Sequence, residues 1–353
     1  MEISKPWLSI VMAARNDNYG GDFLARLENS VKWLHAWNRT LQIPLEFVIV
    51  NYNPVSENPP LEDSVDWPVA NSDFRIRILS VPAETHQFYV NPSVRKTVPL
   101  FEFIAKNIGI RAAKGDYILC TNADILPDPG VLFSLKMRKL SVDNYYRADR
   151  ADFRKILQFD FGNPLKTLLE IRKNVFRIFL KGYSYDFDEN AFSLYGLYRK
   201  RIGNKLKIWK DFQLLKVEKF ANRFSIPLLY ENLAQKYHLH ASGDFMLMHR
   251  NNWFRLRGYP ENCFASVHTD SLFTIQAAVS GLKERILSAP VYHQDHERPD
   301  AHHLKEDKDF LKMYERLVEE GCRMDNTKQP IFYNDENWGA GNFAFEEKQI
   351  GKR

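Results

Sequence analysis

Short apolar runs alternate with amphipathic segments through the first half of the chain. Apolar residues at three- and four-residue spacing predict helices across Asp22–Trp37 and Leu100–Ala113. The predicted strands are Leu8–Ala14, Phe47–Asn51, Arg75–Val81 and Tyr117–Thr121. Strands that alternate with helices build a mostly parallel sheet with helices on its faces. The pattern therefore predicts an α/β fold, with functional groups at the carboxyl ends of the strands.

The pattern changes between residues 153 and 235, where tracts such as LYRKRIGNKLKIW contain more basic than acidic residues. We interpret 153–235 as a helical insertion between an amino-terminal half, 1–152, and a carboxyl-terminal half, 236–353. The insertion could be a lid, an acceptor platform or an amphipathic surface that touches anionic lipid. A solvated helical excursion is the simpler alternative. The α/β pattern then resumes in ASGDFMLMHR, with helices predicted at Asp270–Ser280 and Lys308–Glu320.

Length, charge and cysteine content narrow the class of protein. A chain of 353 residues can bury a full core, and its formal charge of +5 requires no nucleic-acid partner, so we expect none. Cys120, Cys263 and Cys322 are odd in number and lack metal-site spacing, which indicates a reduced protein. The chain has neither a signal-peptide pattern nor an apolar run of about 18 residues. We therefore expect a cytoplasmic location, with peripheral contact at the inner face of the membrane as an alternative.

Asn122 and Asp124 directly follow the predicted strand Tyr117–Thr121. Their side chains are expected at the carboxyl edge of the sheet, where α/β proteins bind ligands. Carboxylate and amide oxygens suit hard cations such as Mg²⁺ or Mn²⁺, which keep open positions for diphosphate oxygens. A simple turn is the alternative, because Asn and Asp both favour turns.

A longer tract around this triplet, AKNIGIRAAKGDYILCTNADIL, resembles the signature of family 2 glycosyltransferases. In that family a helix with Asn-x-Gly and then Ala-x-Gly precedes a strand and a DxD-like metal motif. The matching residues are Asn107, Gly109, Ala113, Gly115 and Asp124. Asn122 stands where the family has its first aspartate, so the resemblance implies Asp124 as the principal metal ligand. It also implies a GT-A (Rossmann-like) fold and a nucleotide-diphosphate sugar as donor.

Other tracts, among them SIVMAARNDNYGGDFLARL, VHTDSLF and VYHQDHE, look like a group of poorly characterised bacterial and fungal glycosyltransferase-like proteins. In GT-A enzymes the end of the first strand and the next loop receive the nucleobase and ribose. The resemblance therefore implies nucleotide contacts from Ala13, Arg15 and Asn16. Asn51, at the end of the second strand, could accept a hydrogen bond from a uracil N–H, which favours a UDP-sugar. The residues Asn107, Arg111 and Asn122 are assigned to the donor site as well.

Asp270 and Asp244 are the carboxylates of the second half that we assign to catalysis. Asp270 matches by position the aspartate that family 2 enzymes place shortly before a helix as general base for the acceptor hydroxyl. A helix N-cap is the alternative role, for which Thr269 and Asp270 are both candidates. Asp244 would then lie by the donor sugar or the acceptor hydroxyls.

A histidine-containing tract, Tyr292–His296, follows the last predicted core strand. We choose His293 as the second ligand of the cation, with His296 as the close alternative. His302 and His303 lie nearby in the sequence. A zinc hydrolase is not indicated, because the chain has no HExxH motif.

Two further features have open roles. In YRADRAD, strand geometry would place Arg147 and Asp149 on one face, either to bind acceptor or diphosphate or to form a buried ion-pair ladder. Trp338 could stack on a sugar, but packing against the core is the simpler prediction.

The predicted function is a metal-dependent, inverting hexosyltransferase that passes a sugar to a glycan or a lipid-linked acceptor, as in polysaccharide biosynthesis. A retaining mechanism stays open, because the GT-A fold supports both outcomes. A nucleotidyltransferase is one alternative, although the loop ARNDNYGGD has few glycines and a single arginine. A catalytically silent binding protein is another, suggested by Asn51 and Asn122 in place of acids.

Overall fold

The computed structural model describes residues 5–90, 98–154, 158–181, 183–187, 191–199, 225–263, 266–297 and 308–351. Within these ranges, every helix is too short or too polar to cross a membrane. The strands are β1 Leu8–Ala14, β2 Leu45–Tyr52, β3 Phe74–Val81, β4 Tyr117–Thr121, β5 Ile125–Pro127, β6 Asn144–Arg147, β7 Arg150–Phe153, β8 Val175–Leu180, β9 Tyr183–Asp186, β10 Phe245–His249, β11 Lys283–Ile286, β12 Val291–Gln294 and β13 Glu346–Ile350. The helices are α1 Phe23–Leu41, α2 Ala83–Tyr89, α3 Glu102–Ala112, α4 Pro129–Lys136, α5 Pro164–Lys173, α6 Ala191–Arg199, α7 Ser225–Tyr237, α8 Arg250–Leu256, α9 Thr269–Val279 and α10 Lys308–Thr327.

The larger sheet has eight strands in the order β11-β6-β10-β4-β1-β2-β3-β13. Strand β1 runs parallel to β2 and β4, and β2 runs parallel to β3. The resulting order 3-2-1-4 is that of the dinucleotide-binding Rossmann sheet. The predicted α/β fold, with a mostly parallel sheet flanked by helices, is confirmed, and β1 and β4 have the predicted bounds.

Helices α1 and α3 cover opposite faces of this sheet. Strands β1 and β2 are buried along their whole length, because both faces are covered. Leu27 and Val31 of α1 pack on one side, and Ile104 of α3 packs on the other. A Cβ at Gly109 of α3 would lie 2.5 Å from Cγ1 of Val11, so glycine allows the helix to approach β1 closely.

A second sheet has five strands in the order β5-β12-β7-β8-β9. Strands β8 and β9 come from the predicted insertion, together with α5, α6 and α7, so its described part is helical only in part. The hydrophobic pattern did not indicate these two strands. The proposed boundary at 152 falls inside β7, and most of the basic tract that suggested lipid contact lies at 200–224, outside the described residues.

The prediction of one strand through YRADRAD is wrong. Strand β6 ends at Arg147 and β7 begins at Arg150, and the two strands belong to different sheets. Arg147 donates to the carbonyl oxygens of residues 240–242, whereas Asp149 accepts a hydrogen bond of 2.9 Å from the hydroxyl of Tyr195. Alternating polarity cannot distinguish one continuous strand from two short strands that are joined by a crossing between sheets.

Trp338 packs against the core, which confirms the simpler of the two predictions for this residue. It is 3% exposed and its ring lies 5.4 Å from the ring of Phe254. A buried indole has no open face on which a sugar could stack.

Candidate active site

The turn after β4 brings Asp124 next to β12. Residues 122–124 connect β4 to β5, and β5 pairs antiparallel with β12, with Ile125 opposite His293. The backbone N–H of Gln294 donates to the carbonyl oxygen of Asp124 at 3.0 Å. His293 therefore lies within β12 itself, and not after the last strand as the sequence pattern suggested.

Asp124, His293 and His296 form one cluster of possible metal ligands, with ligand atoms within 4.8 Å of one another. Oδ2 of Asp124 lies 3.6 Å from Nε2 of His293 and 3.3 Å from Nε2 of His296. Two ligands at right angles on an ion with bonds of about 2.1 Å lie about 3 Å apart, so these separations fit a small divalent cation. Both histidines considered from the sequence are thus brought together, while His302 and His303 lie outside the described residues.

Oδ1 of Asp124 is buried and has no hydrogen-bond partner among the described residues. Such an atom is costly to bury unless something else satisfies it, and a cation would do so. Burial disfavours the charged carboxylate, but His293, His296 and Arg26 together hold the pKa of Asp124 well below its usual range. The carboxylate is therefore ionised, as metal ligation requires.

The His296 ring is oriented by main-chain groups. Its Nδ1 lies 2.7 Å from the carbonyl oxygen of Glu297, which can only accept a hydrogen bond. In the neutral ring the proton then sits on Nδ1, and the lone pair of Nε2 faces Asp124. Gly20, in the loop after β1, lies directly behind this ring. Gly20 was not among the predicted site residues, although the Gly-Gly pair after the first strand was a visible signal.

A cavity of about 510 Å³ opens beside His296. Gly20, Arg26, Phe153 and Arg154 are among the residues that line it. This volume lies within the range of pockets that hold small ligands, about 300–1,000 Å³.

The predicted nucleotide residues lie at the adjacent carboxyl ends of β1 and β2. Ala14 pairs with Asn51, whose amide oxygen Oδ1 is buried and has no hydrogen-bond partner in the described part of the chain. Nε of Arg15 donates to the carbonyl oxygen of Asn53 at 2.7 Å, and Asn16 donates to that of Pro59 at 2.9 Å. Ala13 is 9% exposed, so it offers little surface for contact.

Asn107 and Arg111 contact other parts of the protein instead. Both amide hydrogens of the buried Asn107 are used, in bonds of 2.8 Å to the carbonyl of Tyr259 and 2.9 Å to Glu261. Arg111 lies over the ring of Trp338 and donates to a main-chain carbonyl of the carboxyl-terminal segment at 3.0 Å. The contacts of Asn107 are thus with the turn at Tyr259–Glu261, and those of Arg111 are with the carboxyl-terminal segment.

Asn122 and Asp244 are held in a buried polar network. The amide oxygen of Asn122 accepts a 2.6 Å bond from Lys106, and its amide nitrogen donates to Asp244 at 2.8 Å. The other oxygen of Asp244 accepts a 2.7 Å bond from Arg150. Both oxygens of Asp244 are therefore occupied, and the carboxylate is 6% exposed.

Asp270 lies in the first turn of α9 and accepts a hydrogen bond from the hydroxyl of Ser242. The N-cap of α9 is His268 and not Thr269 or Asp270, so the capping alternative is wrong. Burial raises the pKa of Asp270, although the Ser242 hydrogen bond and the charges of Arg147 and Lys106 oppose this. A carboxyl with a raised pKa is a better proton acceptor than an ordinary one.

Comparisons with known proteins give structural matches only. No protein-family model matches the chain, and no curated protein matches it in sequence. Among solved structures, it is similar to the catalytic domain of Drosophila β1,4-galactosyltransferase 7 in complex with xylobiose, at 10% identity and a TM-score of 0.37, over 84% of this chain and 72% of that one. It is also similar to S. aureus TarS 1–349, at 12% identity and a TM-score of 0.39, over 87% of this chain and 71% of that one.

Proposed function

We propose that this protein is a metal-dependent glycosyltransferase that moves a sugar from a nucleotide-diphosphate donor to a glycan or lipid-linked acceptor. The observation that carries the proposal is the cluster of Asp124, His293 and His296 at the carboxyl edge of a sheet with Rossmann strand order. The nucleotide ends of β1 and β2 lie at the same edge. A sheet edge with a cation site and a nucleotide site suits transfer from a nucleotide diphosphate.

Asp124, His293 and His296 would hold the cation. Bound there, it would neutralise negative charge on the diphosphate leaving group. Two imidazoles and one carboxylate favour Mn²⁺ over Mg²⁺, because Mg²⁺ prefers oxygen ligands and near-ideal octahedral geometry.

Asn51 is our candidate for contact with the nucleobase. Its unpartnered, buried amide oxygen can accept a hydrogen bond from the N–H of uracil, which supports a UDP-sugar as donor. Arg15 stands beside it, with its Nε donating to the carbonyl oxygen of Asn53 and its Nη1 to Asp17. These two contacts fix the guanidinium at the donor end of the sheet, where a diphosphate would compete with Asp17 for it.

Asp270 is our candidate general base. As the acceptor hydroxyl attacks the anomeric carbon, its proton would pass to the carboxylate, and the bond from the sugar to the diphosphate would break. Attack from the face opposite the leaving group would invert the configuration. We assign Asp244, whose two oxygens are occupied, to the support of Asn122 and Arg150 and not to proton transfer.

Calorimetric titration of UDP, GDP, CDP and dTDP, each with and without Mn²⁺, tests the donor site. We expect Mn²⁺-dependent binding of UDP in the wild type, none in Asp124→Asn, and intact binding without transfer in Asp270→Asn. Nucleotide binding that is equally strong without Mn²⁺ would contradict the metal-dependent donor site. Full transfer by Asp270→Asn would contradict the assignment of Asp270 as general base. NMR of the product anomer separates inversion from retention.

A catalytically silent binding protein is the second candidate. It is favoured by the internal hydrogen bonds that occupy Asn122 and Asp244, two polar groups that an active enzyme could direct at its substrates. Metal-dependent nucleotide binding with no turnover of UDP-sugars, and no release of free UDP in their presence, would support it.

A further inference from the structure

The pair Arg150–Asp152, from the motif YRADRAD, has no role in the function proposed above. We propose that Asp152, held by Arg150, positions His293 so that its Nε2 lone pair faces the cation at Asp124. Asp152 is thus a positioning residue for the metal site and not a ligand. The inference rests on the metal site of the proposed function.

Strand pairing sets Asp152 beside His293. Strands β7 and β12 are parallel, and Asp152 and His293 are register partners. Both side chains are buried, at 0% and 3% exposure. Oδ1 of Asp152 lies 3.4 Å from Nδ1 of His293, while the opposite ring nitrogen, Nε2, lies 3.6 Å from Asp124. One imidazole therefore spans two carboxylates with its two nitrogens.

A neutral imidazole carries one proton, and either carboxylate can accept it. A cation on Asp124 needs the lone pair of Nε2, which requires the proton on Nδ1. Nδ1 of His293 is buried and makes no hydrogen bond within the described part of the chain, and Oδ1 of Asp152, 3.4 Å away, is the acceptor that we assign to it. Carboxylates orient histidine ligands in this way in many metal sites. His296 has the same arrangement, with the carbonyl of Glu297 as the acceptor for Nδ1. In both histidines an oxygen acceptor therefore lies near Nδ1, and Nε2 faces Asp124.

Arg150 keeps Asp152 in place and joins it to the turn that carries Asp124. Its Nε and Nη2 lie 2.6 and 3.1 Å from the two oxygens of Asp152, a bidentate pair. Its Nη1 donates to Asp244 at 2.7 Å, and Asp244 accepts from Asn122. The buried guanidinium of Arg150 therefore contacts both Asp152, which lies behind His293, and Asp244, which holds the turn that carries Asp124.

The same network accounts for the amide at position 122. Asn122 accepts from Lys106 and donates to Asp244, and an aspartate there could not donate. Two carboxylates in contact would repel each other in a buried site. An amide at position 122 can therefore donate to Asp244 without adding a second negative charge.

The test is the affinity for Mn²⁺, measured by calorimetry on the intact protein, in Asp152→Asn. We expect the affinity to fall about 10- to 100-fold, because the acceptor behind Nδ1 loses its charge. Arg177→Gln is the matched control. Arg177 approaches the other oxygen of Asp152 from the partly exposed side at 3.5 Å, so its loss should leave Mn²⁺ affinity within about threefold.

The second readout is the tautomer of His293, from ¹⁵N NMR with Zn²⁺ as a diamagnetic probe. We expect the proton on Nδ1 in the wild type. A proton on Nε2, or a folded Asp152→Asn protein with unchanged Mn²⁺ affinity, would overturn the proposal. If Asp152→Asn does not fold, Arg150→Lys is the alternative variant, because it keeps the charge of Asp152 but removes the bidentate pair. An unchanged Mn²⁺ affinity in Arg150→Lys would also overturn the proposal.

These outcomes differ from a failure of the proposed function. A wild type that binds Mn²⁺ at Asp124 with His293 in the expected tautomer, but transfers no sugar, removes the enzyme assignment and leaves the role of Asp152 intact. A wild type that binds neither Mn²⁺ nor Zn²⁺ overturns both.

Discussion

The ring of His296 lies against Gly20 with no room for a side chain between them. A Cβ at Gly20 would overlap Nδ1 of His296 and lie 2.6 Å from the carbonyl oxygen of Glu297, the acceptor that orients the ring. The loop after β1 therefore shapes the candidate metal site, although it contributes no ligand.

Gly20→Ala should displace His296 and weaken Mn²⁺ binding by about tenfold or more, as loss of a ligand's support does in metal sites. Gly21→Ala is the matched control, because Gly21 has the same φ of 65° but its added Cβ would meet no other described residue within 4 Å. Both variants carry a similar backbone strain of about 1 kcal/mol. Calorimetry with Mn²⁺ should separate them, and equal affinities would show that the contact with Gly20 does not matter.

Removal of metal should lower the melting temperature of the wild type. A ligand at 100 times its Kd stabilises the native state by about 2.7 kcal/mol. Asp124→Asn should show no response to Mn²⁺ or EDTA, whereas Asp295→Asn, an exposed neighbour outside the cluster, should respond like the wild type. A melting temperature of Asp124→Asn that still rises with Mn²⁺ would place the site elsewhere.

Asp270→Asn should reduce kcat by about 10²- to 10⁴-fold, the usual contribution of a general base, with little change in donor affinity. Steady-state kinetics and donor titration measure the two quantities separately. A parallel loss of donor binding would instead indicate that Asp270 supports the fold or the nucleotide site.

Ser242→Ala should shift the pH profile of the same reaction. The Ser242 hydroxyl stabilises the ionised carboxylate of Asp270 and so lowers its pKa against the effect of burial. Without it the pKa rises further, and because the base must be unprotonated, the acid limb of kcat should move to higher pH. A limb that stays in place, or moves to lower pH, would rule out Asp270 as the titrating base.

His268 should make the fold less stable in mild acid. Burial lowers the pKa of His268 from 6.5 to about 4. Between these two values the unfolded chain binds a proton that the folded chain does not, so stability is full above pH 6.5 and falls as the pH drops towards 4. The upper limit of this loss is about 3 kcal/mol, and partial exposure reduces it.

His268→Asn removes the titrating ring and suits the positive φ of 61° at this position. Urea unfolding at pH 7 and pH 4.5 should show a smaller loss of stability in the variant than in the wild type. The raised pKa of Asp270 acts in the opposite direction in both proteins, so only the difference between them is informative. An equal loss in both would mean that His268 is protonated in the native state.

The sequence by itself determined strands β1 to β4 of the central sheet and the position of its polar turn. The bounds of β1 and β4 could be predicted because strand and helix periodicity are local, and a triplet directly after a strand lies at the sheet edge in any α/β arrangement. Asp124 could be named for the same reason.

Only the tertiary structure decided which distant residues meet at that edge. The pairing of β5 with β12 brings His293 to Asp124, and the pairing of β7 with β12 sets Asp152 behind it. The same folding brings Asn107, which we predicted for the donor site, into contact with the turn at Tyr259–Glu261. These relationships depend on strand register and on the crossing between two sheets, because the residues that meet are far apart in the chain and no local pattern of polarity encodes their contact.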